Sequence, residues 1–74
     1  MEYAIVIEQS ADGYGAYVPD LPGCVAVGDP VAEVQELIRE AIALHLKAMR
    51  EDGDPIPAPA TRVGYVQVAA PAPV

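Results

Sequence analysis

Hydrophobic and polar positions along the first third of the chain alternate with the short period of β-structure. Glu2 to Glu8 is an apolar run rich in β-branched residues, with Tyr3, Ile5 and Ile7 on one face, which predicts a strand buried on much of both sides. Gln9-Ser10-Ala11-Asp12-Gly13 is polar and ends in Asp-Gly, a pair suited to hairpin connections. Its length predicts a loop longer than a two-residue turn. Tyr14 to Val18 alternates, with Tyr14, Ala16 and Val18 on one face and Gly15 and Tyr17 on the other, a second strand. Pro19-Asp20-Leu21-Pro22-Gly23 cannot continue a ladder, because its two prolines lack amide donors, so it is read as a rigid loop. Cys24 to Gly28 is the third strand, closing an antiparallel meander.

The period then lengthens. Gly28-Asp29-Pro30 predicts a helix start, with Asp29 capping the free amides and Pro30 at the first helical position. Apolar side chains recur at Val34, Leu37, Ile38, Ala41, Ile42, His45, Ala48 and Met49, while Glu33, Glu36, Glu40, Lys47 and Arg50 occupy the other side. One amphipathic helix over Pro30–Glu51 follows, ended by Asp52-Gly53-Asp54-Pro55. Ile56 to Ala60 is read as extended and surface-lying. Arg62 to Val68 alternates weakly and is read as a fourth strand, and Ala69–Val74 as a disordered Ala/Pro tail outside a domain of residues 1–68.

The order β-β-β-α-β predicts an α+β fold. Strands one to three run up, down and up, the helix returns across one face, and strand four runs parallel to strand one. A right-handed crossover gives a single four-stranded mixed sheet of order 3-2-1-4. One helix shields one face of such a sheet, so the other face requires cover from a second molecule. Tyr3, Ile5 and Tyr17 are the candidates for that oligomer face.

Size and composition reinforce this expectation. A domain of 74 residues buries only about 60% of the surface its unfolded chain exposes. With no Trp or Phe and a single cysteine, Cys24, it has neither large aromatic anchors nor a disulfide. A homo-oligomer, dimer or tetramer, is the expected remedy. Eleven acidic against four basic residues give a net charge of −7, which repels phosphate backbones and speeds encounter with basic proteins. Direct nucleic-acid binding by this chain is therefore not expected. No apolar run reaches the roughly 20 residues of a membrane span, and the N-terminus lacks the basic and apolar regions of a signal peptide. A cytoplasmic location, with the thiol reduced, is the expectation.

Candidate chemistry is sparse. His45 lies on the apolar side of the helix with Ala41 and Met49 one turn away, and Cys24 has no base in its local sequence, so both are read as packing residues. Neither a Cys pair nor a His pair is present to cage a transition metal. Asp12 and Asp29 fall toward one end of the sheet and Asp20, Asp52 and Asp54 toward the other, each group being read as solvated turn residues. The glycines lack the spacing of a phosphate-binding loop. No catalytic residue, metal or cofactor is assigned, and the chain is read as a binding protein and not an enzyme.

Specific motifs sharpen that reading. Tyr3-Ala4-Ile5-Val6-Ile7-Glu8, then Asp12-Gly13-Tyr14-Gly15-Ala16-Tyr17-Val18-Pro19-Asp20-Leu21-Pro22-Gly23-Cys24, then Gly28-Asp29 opening a helix and Ile56-Pro57-Ala58-Pro59 after it, resemble the HicB-like antitoxin family. The resemblance spans about Met1 to Val68. It implies a partial ribonuclease-H-like fold and a small basic HicA-like toxin as partner, an RNA-cleaving protein whose active site is occluded. Many family members carry a further C-terminal DNA-binding domain. This chain ends before one could fit, so autorepression through direct DNA contact is not expected. Glu8, Asp12 and Asp29, rimming one end of the sheet, are the candidates for pairing with toxin Lys and Arg side chains. Two alternatives stay open: a stand-alone oligomeric regulatory module with no toxin, and a metal-dependent nuclease using Glu8.

Overall fold

The computed structural model describes residues 1–72. Three strands, β1 (Val6–Ser10), β2 (Gly13–Tyr17) and β3 (Val25–Gly28), precede one helix, α1 (Val31–Asp52). The sheet is antiparallel with order β1-β2-β3, so β1 and β3 are both edges.

The first hairpin is tighter than its sequence predicts. Gln9 pairs with Tyr14 and Ser10 with Gly13, leaving only Ala11 and Asp12 as the turn. Three residues counted as loop, Gln9, Ser10 and Gly13, thus continue the ladder, because pairing satisfies their backbone groups better than a wide polar loop. Gly13 makes this closure fit. Its φ is 153°, and a Cβ there would stand 2.7 Å from the backbone oxygen of Gly28, so only glycine lets the turn approach the end of β3.

Register places Ile7, Ala16 and Ala26 in one row and Glu8, Gly15 and Val27 in the next, on opposite faces. The first face meets α1. Its core comprises Ala16, Val18, Leu21 and Cys24 against Val34 and Ile38, with Tyr3, Ile5, Ile7, Ile42 and Leu46 among the half-buried residues around it. Leu21, Val34 and Ile38 are the largest fully buried side chains, each worth about 1.5–3 kcal/mol in area removed from water. Leu21 belongs to the proline-flanked loop, which folds inward. Val18 donates to the Cys24 carbonyl, Leu21 to Val18 and Cys24 to Leu21, so the loop satisfies its own backbone while burying its apolar side chain.

The helix begins as the apolar period predicts, but its cap differs. Pro30 holds the N-cap position and no side chain caps the first turn. The expected Asp29 cap gives way to Glu33, whose Oε2 accepts the Asp29 amide at 3.1 Å. At the other end Gly53 adopts φ 74°, and Gly53 and Asp54 donate to the carbonyls of Arg50 and Met49, the paired bonds of a glycine-terminated helix. Along α1, Val34 and Ile38 are buried, Leu37, Ala41, Ile42, His45, Leu46 and Met49 are half-buried, and Ala48 is exposed.

The α+β class holds, whereas the four-stranded sheet of order 3-2-1-4 does not. Residues 62–68 form no strand among the described residues; they are exposed, with Tyr65 95% and Val66 86% accessible. The cause lies in the preceding segment. Tyr3 donates its hydroxyl to the carbonyl of Pro57, and the Asp20 carboxylate accepts the amides of Ala60 and Thr61. Tyr3 and Asp20 both lie beyond the Val6–Tyr17 pair at the same end of the sheet. Residues 57–61 therefore cross that end from the line of β1 to the line of β2, and by Thr61 the chain has passed the edge it was expected to join. An elongated molecule results, 56 × 27 × 17 Å with a radius of gyration of 15.4 Å, against about 11 Å for a compact chain of this length. Of the proposed tail 69–74, residues 69–72 are exposed without regular structure and residues 73–74 lie outside the described residues.

Candidate partner-binding surface

The tight β1–β2 turn and the entry to α1 sit side by side, because Tyr14 and Gly28 are paired. Between them lies an open depression of about 570 Å³ whose lining includes Glu8, Asp12, Asp29 and Glu33. The three acidic residues singled out in the sequence are thus brought together, and Glu33 joins them. Glu33 was legible only as a first-turn acid; its place here follows from its bond to the Asp29 amide. Four acidic residues lining one concave, water-exposed surface create a negative field suited to Lys or Arg side chains. Gly13, Gly15 and Gly28 line the same depression, so its floor is backbone that a partner can approach closely.

The depression continues onto the sheet face opposite α1. Tyr17, Val25 and Val27 are 42%, 63% and 76% exposed there, and together with Glu8 and Gly15 they line a shallower hollow. The trio Tyr3, Ile5 and Tyr17 is split by the structure. Tyr3 and Ile5 pack against the core on the helix side, and only Tyr17 lies on the open face.

Asp20 is a feature that sequence reasoning placed among solvated turn residues. Its carboxylate accepts the amides of Ala60 at 2.9 Å and Thr61 at 3.0 Å and the Thr61 hydroxyl at 2.8 Å. The backbone bonds from Thr61 and Ala60, then the Thr61 hydroxyl, hold its pKa below the ordinary value of 3.8. No local pattern links Asp20 to residues 40 positions away, so the contact had no sequence signal. Cys24 is 3% exposed, and burial pushes its thiol pKa above the ordinary value, the environment of a packing residue. Among the described residues, no group of three His, Cys, Asp or Glu side chains is placed to hold a metal ion. Nor is any helix among them long and apolar enough to cross a membrane.

Comparison with known proteins decides the family. The profile of the HicB-like antitoxin of bacterial toxin–antitoxin systems matches residues 3–71. This chain belongs to the HicB-like antitoxin family. Among relatives of this HicB-like chain, an uncharacterized 14.9 kDa protein from the rep-hol intergenic region of Haemophilus phage HP1 is 44% identical over 57 residues, covering 77% of this chain and 43% of the phage protein. A UPF0150 protein of Archaeoglobus fulgidus is likewise 44% identical over 57 residues, covering 73% of this chain and 83% of its own. Among solved structures, a chain of a HicA3 and HicB3 toxin-antitoxin complex superposes with a TM-score of 0.71 at 33% identity, covering 81% of this HicB-like chain and 70% of the other. The resemblance drawn from the Val18-to-Cys24 and Gly28-Asp29 motifs is thereby established.

Proposed function

We propose that this HicB-like chain is a non-catalytic antitoxin that binds a small, basic, RNA-cleaving toxin of the HicA type and occludes its active site. The supporting observation is the structural match to a chain of a HicA3 and HicB3 toxin-antitoxin complex, which extends over most of this chain. The chemistry agrees with it. A net charge of −7 steers an acidic protein toward a basic one and away from RNA itself. The depression rimmed by Glu8, Asp12, Asp29 and Glu33 supplies carboxylates for toxin cations, and the neighbouring Tyr17, Val25 and Val27 supply apolar area that can exclude water around them.

Inhibition on this reading is steric. The toxin's basic groups that hold RNA phosphates are occupied by carboxylates, and the protein body covers the cleavage site. No bond is made or broken by the antitoxin. Co-expression with a small basic toxin of the HicA type should yield a complex stable through purification. Asp29→Lys combined with Glu8→Lys should weaken that complex and steepen its loss with salt, because rim charges act through long-range attraction. A complex indifferent to both reversals would move the contact to another surface, and no complex at all would remove the proposal.

A further inference from the structure

A second groove, of about 590 Å³, lies between α1 and the stretch leading into β1, with Tyr3, Ile5, Ile38 and Ile42 as apolar walls and Glu2 and Arg39 at its rim. Its lining comes from α1 and from residues of the stretch that leads into β1, with none from β1, β2 or β3, so it lies beside the approach to the β1 edge. It arises because α1 packs over β2 and β3, leaving the β1 side of the helix bare. Beside it, β1 presents an edge with no strand neighbour. An unpaired edge next to an apolar groove is a template for an added strand: main-chain bonds form along the edge while alternate side chains enter the groove.

We propose that residues 62–72 of one chain occupy this groove on a second copy of the same chain, extending its sheet at β1, and that the second copy returns the exchange about a two-fold axis. Three observations identify the occupant. The arm is rich in β-forming residues, and Val63, Tyr65, Val66 and Val68 are 55%, 95%, 86% and 78% exposed, an apolar load that its own chain leaves mostly uncovered. The arm is also kept from its own groove, since the contacts of Pro57 with Tyr3 and of Ala60 and Thr61 with Asp20 carry the chain past β1 before the arm begins. Finally, the charges are complementary. All eleven acidic residues precede Pro55, and the only charged side chain beyond Asp54 is Arg62. The arm therefore brings no carboxylate to an acidic second copy, and of the two rim charges Glu2, not Arg39, is the one that Arg62 complements.

Length permits the exchange. Eleven extended residues reach on the order of 35 Å, about twice the length of a five-residue strand. Two-fold reciprocity covers both arms and both edges at once, which closes the assembly as a dimer and prevents open-ended chaining. The exchange involves neither the acidic depression nor the toxin, so it stands or falls separately from the antitoxin reading.

The test uses the full chain in two forms mixed together, one ¹⁵N-labelled and the other carrying a nitroxide at Gln67→Cys, with buried Cys24 left in place. Intermolecular broadening should centre on Ile5, Gln35, Arg39 and Ile42, and sedimentation should give a dimer. Tyr65→Asp with Val66→Asp changes side chains that are almost wholly exposed within one chain, so circular dichroism should show an unchanged fold. That variant should lose the broadening and self-associate about a hundredfold or more weakly. A monomer without intermolecular broadening overturns the proposal. So does a dimer whose broadening centres on Tyr17, Val25 and Val27, or one that survives the double substitution.

Discussion

Thr61 donates its backbone amide and its hydroxyl to the two carboxylate oxygens of Asp20, at 3.0 and 2.8 Å, which fixes the point where the C-terminal arm leaves the body. Asp20 sits in the loop that also buries Leu21 and Cys24. The same few residues therefore close the core and aim the arm.

Protonation of Asp20 should release that anchor. Its pKa is lowered from 3.8 by the bonds it accepts, so the anchor's stabilisation is fully present above the ordinary carboxyl value and is lost as pH falls through the lowered one. Amide shifts of Ala60 and Thr61 followed by NMR should move together with an inflection below 3.8, and Asp20→Asn should abolish that inflection. Movement at or above the ordinary value would show that the carboxylate does not hold the arm.

Gly13→Ala should lower unfolding stability by about 1–3 kcal/mol, the range for strained backbone at positive φ. Both the φ of 153° and the 2.7 Å approach of a Cβ to the Gly28 oxygen oppose it. Denaturant titration reads the loss, and an unchanged midpoint would mean that the turn relaxes freely.

Ile38→Ala should cost about 2–5 kcal/mol, the range for a buried aliphatic side chain. Against a total of roughly 4–11 kcal/mol for a chain this size, that is a large share of the whole. Leu44, 68% exposed on the same helix, is the control, and Leu44→Ala should stay within about 0.5 kcal/mol. Similar losses from the two would contradict the assigned helix face.

Much of this architecture was legible in the chain. The period of two gave three strands, and the period of 3.6 gave α1 with its Gly53 stop, because burial on one side imposes those spacings. That Glu8, Asp12 and Asp29 fall at one end of the sheet was legible as well, since in a meander the first turn and the end of the third strand are neighbours. What failed was non-local. Arg62–Val68 has the composition of a strand, yet its placement depends on Asp20 and Tyr3, two contacts with no signature in the segment itself. Strand propensity records that a residue suits a pleated surface and does not name the surface. The grouping of Tyr3 and Ile5 with Tyr17 failed similarly, because alternation within each strand is visible while the register between strands, here Val6 opposite Tyr17, is not.

Cys24 should behave as an inert core thiol. Buried to 3% exposure, with its pKa raised by desolvation, it should react with a thiol reagent at neutral pH only as fast as the protein opens. Adding denaturant should bring rapid, stoichiometric reaction. Fast labelling of the native protein would contradict the packing of the loop around Leu21.

The most direct measurement of antitoxin action is a titration of RNA cleavage by a small basic toxin of the HicA type with increasing amounts of this chain. Cleavage should fall to background near stoichiometric equivalence, and more protein should be needed when Glu8 and Asp29 are replaced by lysine. Cleavage that continues at full rate in the presence of excess, folded protein would contradict the account.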